Sequence, residues 1–561
     1  MCYTFNNMNL IFRKENIIYL LIFLISILGI IIVNDFGIGI EEHFQRKSGF
    51  YWLNYILSFT EFDSLKSIVK EKISDINIFT PNLFPINKVP FYGVVFDLPL
   101  AFIESFLKIE EPINYFLLRH KFIFFIFLLS AFFLYKIILL RFNNIILALF
   151  AFLFYIFTPR IFGNIFFDNK DILFLSILTI NYYFVLKYCQ NPTNNNLIMV
   201  ALLFAITTSS RIIGILGPIS FIFFLILQYL ANNNYKLFLK SLFTFISFYF
   251  LFLFAHWPYL WTLNYADWIN FFEPFFFSMN PTVYFNNEFY QSRYLPTSYL
   301  PIWIFITTPY SLLIFSTIGF FYLFKFFFIR LLNVKETYKF RVFDLWTSPG
   351  SKFDLLILIN FFMIIFIYFS LSLALLSGWR HFYFIHFYII YYTFYFYYII
   401  SIKNRRNTII KLIKIFVLSF FLIVQIRSIY IYHPFQSSYF NSFISKKDRT
   451  TFEIDTQSLS RIHAIKEIIK DSSSNFNKKI KIGTASWTPL EDARSLLPRN
   501  YWDQLIFQGT DFDTADYIYS NYYYEVNFKL NKKYTIPNNF SLYKTLTIDG
   551  TRIYSIYKKN K

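Results

Sequence analysis

Carboxylates and cations that could transfer a charged group stand in several short polar stretches, most of them beside long apolar runs. A carboxylate can take a proton from an acceptor hydroxyl, and neighbouring cations can hold the negative charge of a leaving phosphate. A phosphate monoester carries roughly −1.5 to −2 charges at neutral pH, so two or more cations suit it. The pattern therefore favours group transfer from a phosphate-bearing lipid. The acids in these stretches include Glu41, Glu42, Asp97 and Asp171, and the basic residues include Arg46, Arg160, Lys170, Arg211, Arg380 and His381.

Each stretch also has a purely structural interpretation. Residues 41–47 fit a well-capped helix, with acids in the first turn, bases later and Gly49 after its end. Glu42 and Arg46 have the i,i+4 spacing of a helical ion pair. Asp171 fits the polar start of a helix. Arg160 and Arg211 fit lipid-headgroup anchors with snorkelling side chains, and His381 fits a structural histidine. The functional interpretation gains because five separate loops supply these groups to one side of the predicted membrane domain.

The elements that must position these residues are membrane helices. The chain has 561 residues, of which 56% are hydrophobic and only 15% are charged, and its mean hydropathy is +0.45. A soluble protein of this length would carry more charge. Apolar runs of membrane-crossing length predict about eleven spans. These are residues 16–33, 121–140, 145–158, 172–188, 197–209, 212–231, 237–255, 301–328, 354–376, 383–401 and 411–431.

Charge predicts the orientation of these spans. With the N-terminus in the cytoplasm, the short basic links, such as 403–406, and the basic segment 325–352 face inward, as the positive-inside rule requires. An odd number of spans then places the C-terminal tail and every candidate residue on the outer face. This topology accounts for the net charge of +19, and no basic stripe on a recognisable module indicates nucleic-acid binding. We expect a multi-pass protein of the cell inner (plasma) membrane, with a periplasmic or extracellular tail.

The predicted fold is an all-α polytopic membrane domain followed by a small α/β domain outside the membrane. The first domain covers residues 1–432 and includes a long first outer loop, 34–120, with an amphipathic interfacial helix at 96–104. The second covers 433–561. Its pattern predicts a helix at 458–470, strands at 479–483 and 517–519, and a hairpin at 542–558 that turns at Asp549-Gly550.

Several short motifs, in order, resemble the GT-C superfamily of membrane glycosyltransferases. The resemblance is to family 39-like enzymes, the relatives of protein O-mannosyltransferases and aminoarabinose transferases, and it covers nearly the whole chain. The motifs are GIGIEE with QR (37–46), YGVVFDLP (92–99), PRIFGN with NKD (159–171), SSRIIG (209–214), HWPYLW (256–261), LPIWIFITTP (300–309), GWRHFYF (378–384) and HPFQSSYFN (433–441).

The resemblance implies an inverting transfer of a sugar from a polyprenyl-phosphate donor on the outer face. An acid in the first outer loop is the base of such enzymes, and by motif position it is Glu41, where the family usually has Asp. Three interpretations stay open, in this order: Glu41 is the base, Glu42 has taken over, or the protein is inactive. The resemblance makes Asp171 the second acidic candidate and Asp97 the third. It makes the cations named above phosphate contacts.

The sequence indicates no metal or other cofactor, because it contains no decisive ligand set, although some GT-C enzymes use a divalent metal. The expected partners are the lipid-linked donor, membrane lipids and an acceptor that is a lipid, a glycan or a protein. Two other functions remain open. One is a transporter or flippase for a lipid-linked sugar, and the other is a catalytically inactive scaffold with the same fold.

Overall fold

The computed structural model describes residues 2–79, 92–232, 234–273, 275, 280–332, 348–472 and 479–560, and most of them are helical. The predicted basic segment 325–352 lies partly outside this range. The helices are α1 (Cys2–Ile32), α2 (Glu42–Leu57), α3 (Asp63–Phe79), α4 (Asp97–Phe106), α5 (Pro112–Phe142), α6 (Ile145–Ile156), α7 (Pro159–Phe162), α8 (Asp171–Gln190), α9 (Asn194–Ser210), α10 (Leu216–Asn232), α11 (Tyr235–His256), α12 (Tyr265–Ile269), α13 (Tyr299–Thr307), α14 (Tyr310–Leu332), α15 (Pro349–Ser370), α16 (Ile385–Lys403), α17 (Thr408–Tyr432) and α18 (Ser460–Ser472).

Nine helices in the described part of the chain are long and apolar enough to cross a membrane, so the protein is a multi-pass membrane protein. They correspond to nine of the predicted spans. Helices α6 and α9 occupy the other two predicted positions, but α6 has only 12 residues. At about 1.5 Å per residue it is about 18 Å long, well short of the hydrocarbon thickness. The predicted span 301–328 is two helices, because Pro309 follows the end of α13.

Three helices form the centre of the bundle. The apolar windows of α8 and α16 are 78% and 67% buried within the protein, and α5 packs against α8. The corresponding window of α17 is only 17% buried, so its apolar side chains face outward. At the end of the bundle where α5 stops, Arg141 donates to Asp354 of α15, and the Tyr391 hydroxyl donates to the same carboxylate at 2.5 Å. The Asp354 carboxylate therefore joins α5, α15 and α16 to one another.

The described residues between α1 and α5 include three helices, α2, α3 and α4, at the opposite end of the bundle. Helix α4 confirms the predicted helix at 96–104, and α2 packs along it. The capped-helix interpretation of residues 41–47 placed the end of that helix before Gly49. This end is wrong, because α2 continues to Leu57. A Cβ on Gly49 would lie 2.3 Å from the carbonyl oxygen of Asp97, so glycine allows the two helices to approach closely.

The tail contains a mixed five-stranded sheet with α18 packed against it. Its strands are β3 (Ile480–Thr484), β4 (Leu505–Phe507), β5 (Tyr517–Ser520), β6 (Phe540–Ile548) and β7 (Thr551–Lys559), in the order β4-β3-β5-β7-β6. Strand β3 is parallel to both neighbours, and β7 is antiparallel to β5 and β6. The predicted helix, strands and hairpin are confirmed. Asp549 and Gly550 both have positive φ, as a tight two-residue hairpin turn requires.

A hairpin that the sequence interpretation missed lies between α12 and α13. It consists of β1 (Thr282–Phe285) and β2 (Glu288–Gln291), joined by Asn286 and Asn287, which both have positive φ. Asparagine tolerates this conformation, so the Asn-Asn pair was a usable turn signal. The hairpin is attached to the tail: Tyr284 N–H donates to the Glu453 carboxylate at 2.9 Å, and Asn287 N–H donates to the Thr451 carbonyl at 2.9 Å.

Candidate active site

Four residues from four loops form a continuous chain of alternating charge at the end of the bundle that carries α2. Arg380 donates to Glu41, its Nε lies 3.9 Å from Asp171 Oδ2, and Asp171 pairs in turn with Arg211. Arg380 and Asp171 are buried and the Arg211 side chain is 11% exposed, whereas the Glu41 side chain is 34% exposed. Glu41 is therefore the member of this chain, hereafter the charge chain, that an acceptor could reach.

Helix ends bring the charge chain together. Glu41 directly precedes α2, Asp171 begins α8, Arg211 directly follows α9, and Arg380 stands in a 3-10 turn before α16. The Asp171 N–H donates to Asp168 Oδ1 at 3.0 Å, which closes the first turn of α8. The positive end of the α8 dipole also favours a carboxylate at this position. Each residue is thus fixed by the start or end of a rigid element.

The tail holds the segment that carries Glu41. Arg461 of α18 is buried and donates to the Ile38 carbonyl at 3.0 Å and to Asp492 Oδ2 at 3.3 Å. The Asp492 carbonyl oxygen lies 3.0 Å from His43 Nε2. The residues before and after Glu41 are therefore both bound by the tail, and the sheet domain is part of the frame of the site.

Lys170 lies beside the charge chain, with its Nζ 3.0 Å from the centre of the Tyr92 ring. Burial, and then the charges of Arg211 and Arg380, lower the pKa of Lys170 to about 7 against the opposite effect of Glu41 and Asp171. Lys170 therefore changes its charge near neutral pH.

Two further groups have protonation states set by burial and by the charge chain. Burial, and then the positive charges of Arg211 and Arg380, hold the pKa of His381 well below its ordinary value, so the imidazole is neutral at neutral pH. Burial and the charge of Asp171 raise the pKa of Asp168. Neither group adds a full charge to the site near neutral pH.

Glu41 is held in its charged form. Burial alone would raise its pKa, but the positive charges of Arg380, Lys170 and Arg211 outweigh burial and hold the pKa of Glu41 well below its usual range. Gln45 Nε2 donates to the other carboxylate oxygen at 3.4 Å. With these cations beside it, Glu41 is a stable carboxylate and a weak proton acceptor.

The structure brings six of the sequence-predicted residues together: Glu41, Lys170, Asp171, Arg211, Arg380 and His381. It places Glu42 on another side of α2, where its carboxylate accepts from the Gly39 N–H at 2.6 Å and lies 2.9 Å from His120 Nε2. The predicted i,i+4 pair of Glu42 with Arg46 is wrong, because each residue has a different partner.

Arg46 forms a buried ion pair with Glu104, which lies 58 positions later in the sequence. Its Nε and Nη2 lie 3.0 and 2.5 Å from the two oxygens of Glu104 in α4, and its guanidinium lies over the Tyr115 ring at 3.7 Å. This bidentate geometry uses the planar face and two donors of the guanidinium. The structure shows a contact between helices, on a different face of α2 from Glu41.

Exchanging one partner of this pair gives a first test. We expect Arg46→Gln or Glu104→Gln alone to lower the free energy of unfolding by about 3–5 kcal/mol, because each leaves a buried charge unpaired. The measurement is thermal unfolding of the purified full chain in detergent. Asp63→Asn, which removes the exposed partner of Lys66, is the control and should cost about 0–1 kcal/mol. Normal stability of the Arg46 variant with weaker donor binding would instead support the predicted phosphate contact.

Arg160 and Asp97 lie outside the charge chain. Arg160 is buried with its guanidinium over the Trp303 ring at 5.0 Å, and in the described part of the chain its Nε and Nη2 have no hydrogen-bond partner. Asp97 accepts from Arg119 at 2.7 Å, and Asn169 Nδ2 donates to the same oxygen at 3.4 Å. Asp97 lines a cavity and is not a member of the charge chain.

That cavity opens beside Lys170. Its lining comes from α2, α4 and the loops before α8 and after α9, and consists of Phe44, Gln45, Ser48, Tyr92, Gly93, Phe96, Asp97, Asn169, Lys170, Leu173 and Ser210. Gln45 and Lys170 connect it to the charge chain. We refer to it below as the Asp97 cavity.

Three residues near the site carried no usable sequence signal. Gln45 and Asn169 are single amides within motifs that were selected for their charges. Tyr523 follows β5 in the tail, and its pKa is raised by burial and then by the nearby Glu453, with smaller effects of Arg380 and Glu41. Only the folded chain shows that a residue more than 480 positions after Glu41 borders the same site.

In the described ranges, no group of three or more His, Cys, Asp or Glu side chains is arranged to hold a metal ion. The three cations Arg380, Arg211 and Lys170 share the site with Glu41 and Asp171, so its donor set suits an anion better than a cation. Whether the protein needs a cofactor stays a prediction.

Comparison with known proteins gives one kind of match. No protein-family model and no curated protein matches the sequence. Among solved structures, the chain is similar to ArnT from Cupriavidus metallidurans, in crystal structures bound to undecaprenyl phosphate and in the apo state. Each match has 10% sequence identity and a TM-score of 0.43, and covers 96% of this chain and 97% of the other.

Proposed function

We propose that this protein is a glycosyltransferase that moves a sugar from a polyprenyl-phosphate donor to an acceptor hydroxyl. The transfer inverts the sugar's anomeric centre and takes place at the outer face of the inner (plasma) membrane. One observation carries the proposal: the charge chain Glu41–Arg380–Asp171–Arg211, with Lys170 beside it, combines an accessible carboxylate with three cations at one end of a membrane bundle. The motif resemblance supports the same chemistry.

Arg380, Arg211 and Lys170 are the proposed phosphate contacts. With Glu41 and Asp171 they leave about one net positive charge when Lys170 is protonated. The phosphodiester of a lipid-linked donor carries one negative charge, and the departing polyprenyl phosphate carries roughly −1.5 to −2 at neutral pH. The cations therefore interact more strongly with the leaving group than with the bound donor, which is the condition for lowering the barrier.

Glu41 is the proposed base. It would take the proton of the acceptor hydroxyl as the acceptor oxygen bonds to the anomeric carbon, while the bond from that carbon to the phosphate oxygen breaks and its electron pair leaves with the phosphate. Glu42 is a poorer candidate, because its side chain is only 3% exposed and its carboxylate is occupied by Gly39 and His120.

Donor binding would also make Glu41 a better base. In the unliganded site the Glu41 carboxylate is neutralised by Arg380. A donor phosphate shared among Arg380, Arg211 and Lys170 partly cancels the charges that hold the pKa of Glu41 low. The carboxylate then accepts a proton more readily, and only when a donor is present.

The distribution of basic residues supports the proposed outer location. The charge chain lies at the end of the bundle where α5, α8 and α16 begin. The opposite end carries Arg141, Lys187 and Lys403 in the last turns of these helices, and Arg405 and Arg406 in the link after α16. By the positive-inside rule we assign this basic end to the cytoplasm, and the site and the tail to the outside.

The test is transfer by the purified full chain in lipid vesicles that contain radiolabelled glycosyl polyprenyl phosphates extracted from bacterial membranes. Acceptor lipids from the same membranes are added. The proposal expects labelled acceptor and released polyprenyl phosphate. Movement of unaltered donor between leaflets would support a flippase instead, and no reaction with any extracted donor or acceptor would support an inactive scaffold.

Lys170 predicts a pH dependence of donor binding. Its pKa is lowered to about 7 in the free protein, so it is charged below pH 7 and loses its charge above it. We expect the KM for the donor to rise by up to about tenfold per pH unit above pH 7, since binding then requires proton uptake. Lys170→Arg keeps the charge and should flatten this dependence. A KM that is independent of pH between 6 and 9 in the wild type would contradict the assignment.

A further inference from the structure

The Asp97 cavity has unused hydrogen-bonding capacity in its wall. Asn169 is only 4% exposed, and its Oδ1 has no hydrogen-bond partner among the residues that the structure describes. Both hydrogen bonds that reach the Asp97 carboxylate from the described chain, from Arg119 and Asn169, end on Oδ1. An unsatisfied buried amide is unfavourable, so a polar ligand or water is expected opposite it.

The rest of the lining is a mixture of small polar groups and aromatic rings. Gln45, Ser48 and Ser210 add neutral donors and acceptors, and Tyr92 and Phe96 add flat apolar surface. Hydroxyl groups pair with the first set, and the C–H faces of a ring pack on the second.

The charges around the cavity select against a charged ligand. The carboxylate of Asp97 is neutralised by Arg119 at 2.7 Å, and Lys170 is next to the charge chain where the donor phosphate would bind. An ammonium group in the cavity would meet cations and an already paired acid. A carboxylate group would lie against Asp97. Either ligand would bring an uncompensated charge into a site of low exposure.

We propose that the Asp97 cavity binds the sugar of the donor and that it selects an uncharged, polyhydroxylated sugar. This inference rests on the proposed function, and it adds the substrate class. Asn169 Oδ1 and Asp97 Oδ2 accept hydrogen bonds from sugar hydroxyls, Ser48 and Gln45 complete the polar contacts, and the sugar lies between Lys170 and the wall formed by α2 and α4.

The experiment measures binding of four short-chain probes to the full chain in detergent: farnesyl phosphate, and farnesyl phosphates carrying glucose, glucosamine or glucuronic acid. We expect the glucosyl probe to bind at least about tenfold more tightly than either charged probe. Asn169→Ala should weaken glucosyl binding by about tenfold and leave binding of farnesyl phosphate unchanged.

A second variant, Asp97→Asn, should change which sugar probe the protein binds most tightly. It leaves Arg119 uncompensated, so the glucuronyl probe should gain on the glucosyl probe by at least about tenfold. The control is Asp63→Asn, which removes an exposed carboxylate outside the cavity and should not alter the preference. Melting temperatures in detergent identify variants that fail to fold, and the probe comparison within wild type does not depend on them.

The outcomes separate the two proposals. If farnesyl phosphate binds but all three sugars bind equally, or if a charged probe binds most tightly, the sugar inference is overturned and the phosphate site survives. If farnesyl phosphate itself does not bind, the proposed function fails, and the sugar inference fails with it.

Discussion

We expect Glu41→Gln to lower the turnover number for the proposed sugar transfer by about 10²–10⁴-fold, the range for loss of a general base. Glutamine has nearly the same size and shape and still offers an oxygen to Arg380 in place of the contacting carboxylate oxygen. It has no negative charge and accepts no proton at neutral pH. The donor KM should therefore change little while kcat falls. The measurement is steady-state transfer in vesicles at saturating acceptor.

Two other variants show whether Glu41 acts as the base or as a structural residue. Glu41→Asp keeps the charge but withdraws the carboxylate by about one bond length, and a misplacement of about 1 Å can lower the rate on the order of 10²-fold. Glu42→Gln should destabilise the protein, since it disturbs the contacts with His120 and Gly39, yet it should keep kcat within about tenfold per folded molecule. Full activity of Glu41→Gln would remove Glu41 from the mechanism. Loss of kcat in Glu42→Gln alone would transfer the role to Glu42.

The sequence predicted the helices well because their signal is local. Hydropathy over about twenty residues determines a span, and eleven of the observed helices stand at the predicted positions. The tail was predictable for the same reason, since Asp549-Gly550 fixes a hairpin by itself. The short strand Leu505–Phe507 was missed because three residues carry no measurable alternation.

The grouping of site residues was predictable only as a shared membrane face. Each of four residues lies beside the end of a helix at the same end of the bundle: Glu41, Asp171, Arg211 and Arg380. The hydropathy of each apolar run is enough to predict this position. Their order along the charge chain depends on how helix ends pack, and no local pattern encodes it. The same applies to Arg46, whose ion pair with Glu104 spans 58 positions and replaces the local pair that i,i+4 spacing suggested.

The tail shows the largest difference between what the sequence predicted and what the structure contains. Its elements were predictable, yet its contacts with the segment around Glu41 were not. Arg461 and Asp492 bind residues more than 400 positions earlier, through the Ile38 carbonyl and His43. A backbone carbonyl that accepts from a distant arginine leaves no trace in its own side chain. The sequence alone predicted the tail as a second domain. In the structure the tail also contacts the segment on both sides of Glu41.

Arg380→Gln is expected to lower kcat/KM by about 10²–10³-fold, the loss seen when one preorganised donor to a developing oxyanion is removed. Arg380 is the only described cation that contacts Glu41 and also lies within 4 Å of Asp171, so its loss affects the base and the phosphate site together. Arg380→Lys keeps the charge without the planar pair of donors and should recover only part of the activity.

The pH profile tests the mechanism of this loss. Arg380 opposes burial in setting the pKa of Glu41, so without it the pKa of Glu41 rises. Since the base must be deprotonated, activity should then fall as the pH is lowered into the range of an ordinary carboxylic acid, where the wild type stays active. Arg211→Gln is the matched control: it removes a cation that pairs with Asp171, should raise the donor KM, and should shift the acidic limb less. Identical pH profiles for wild type and Arg380→Gln would show that Arg380 does not tune Glu41, and would leave it a phosphate contact alone.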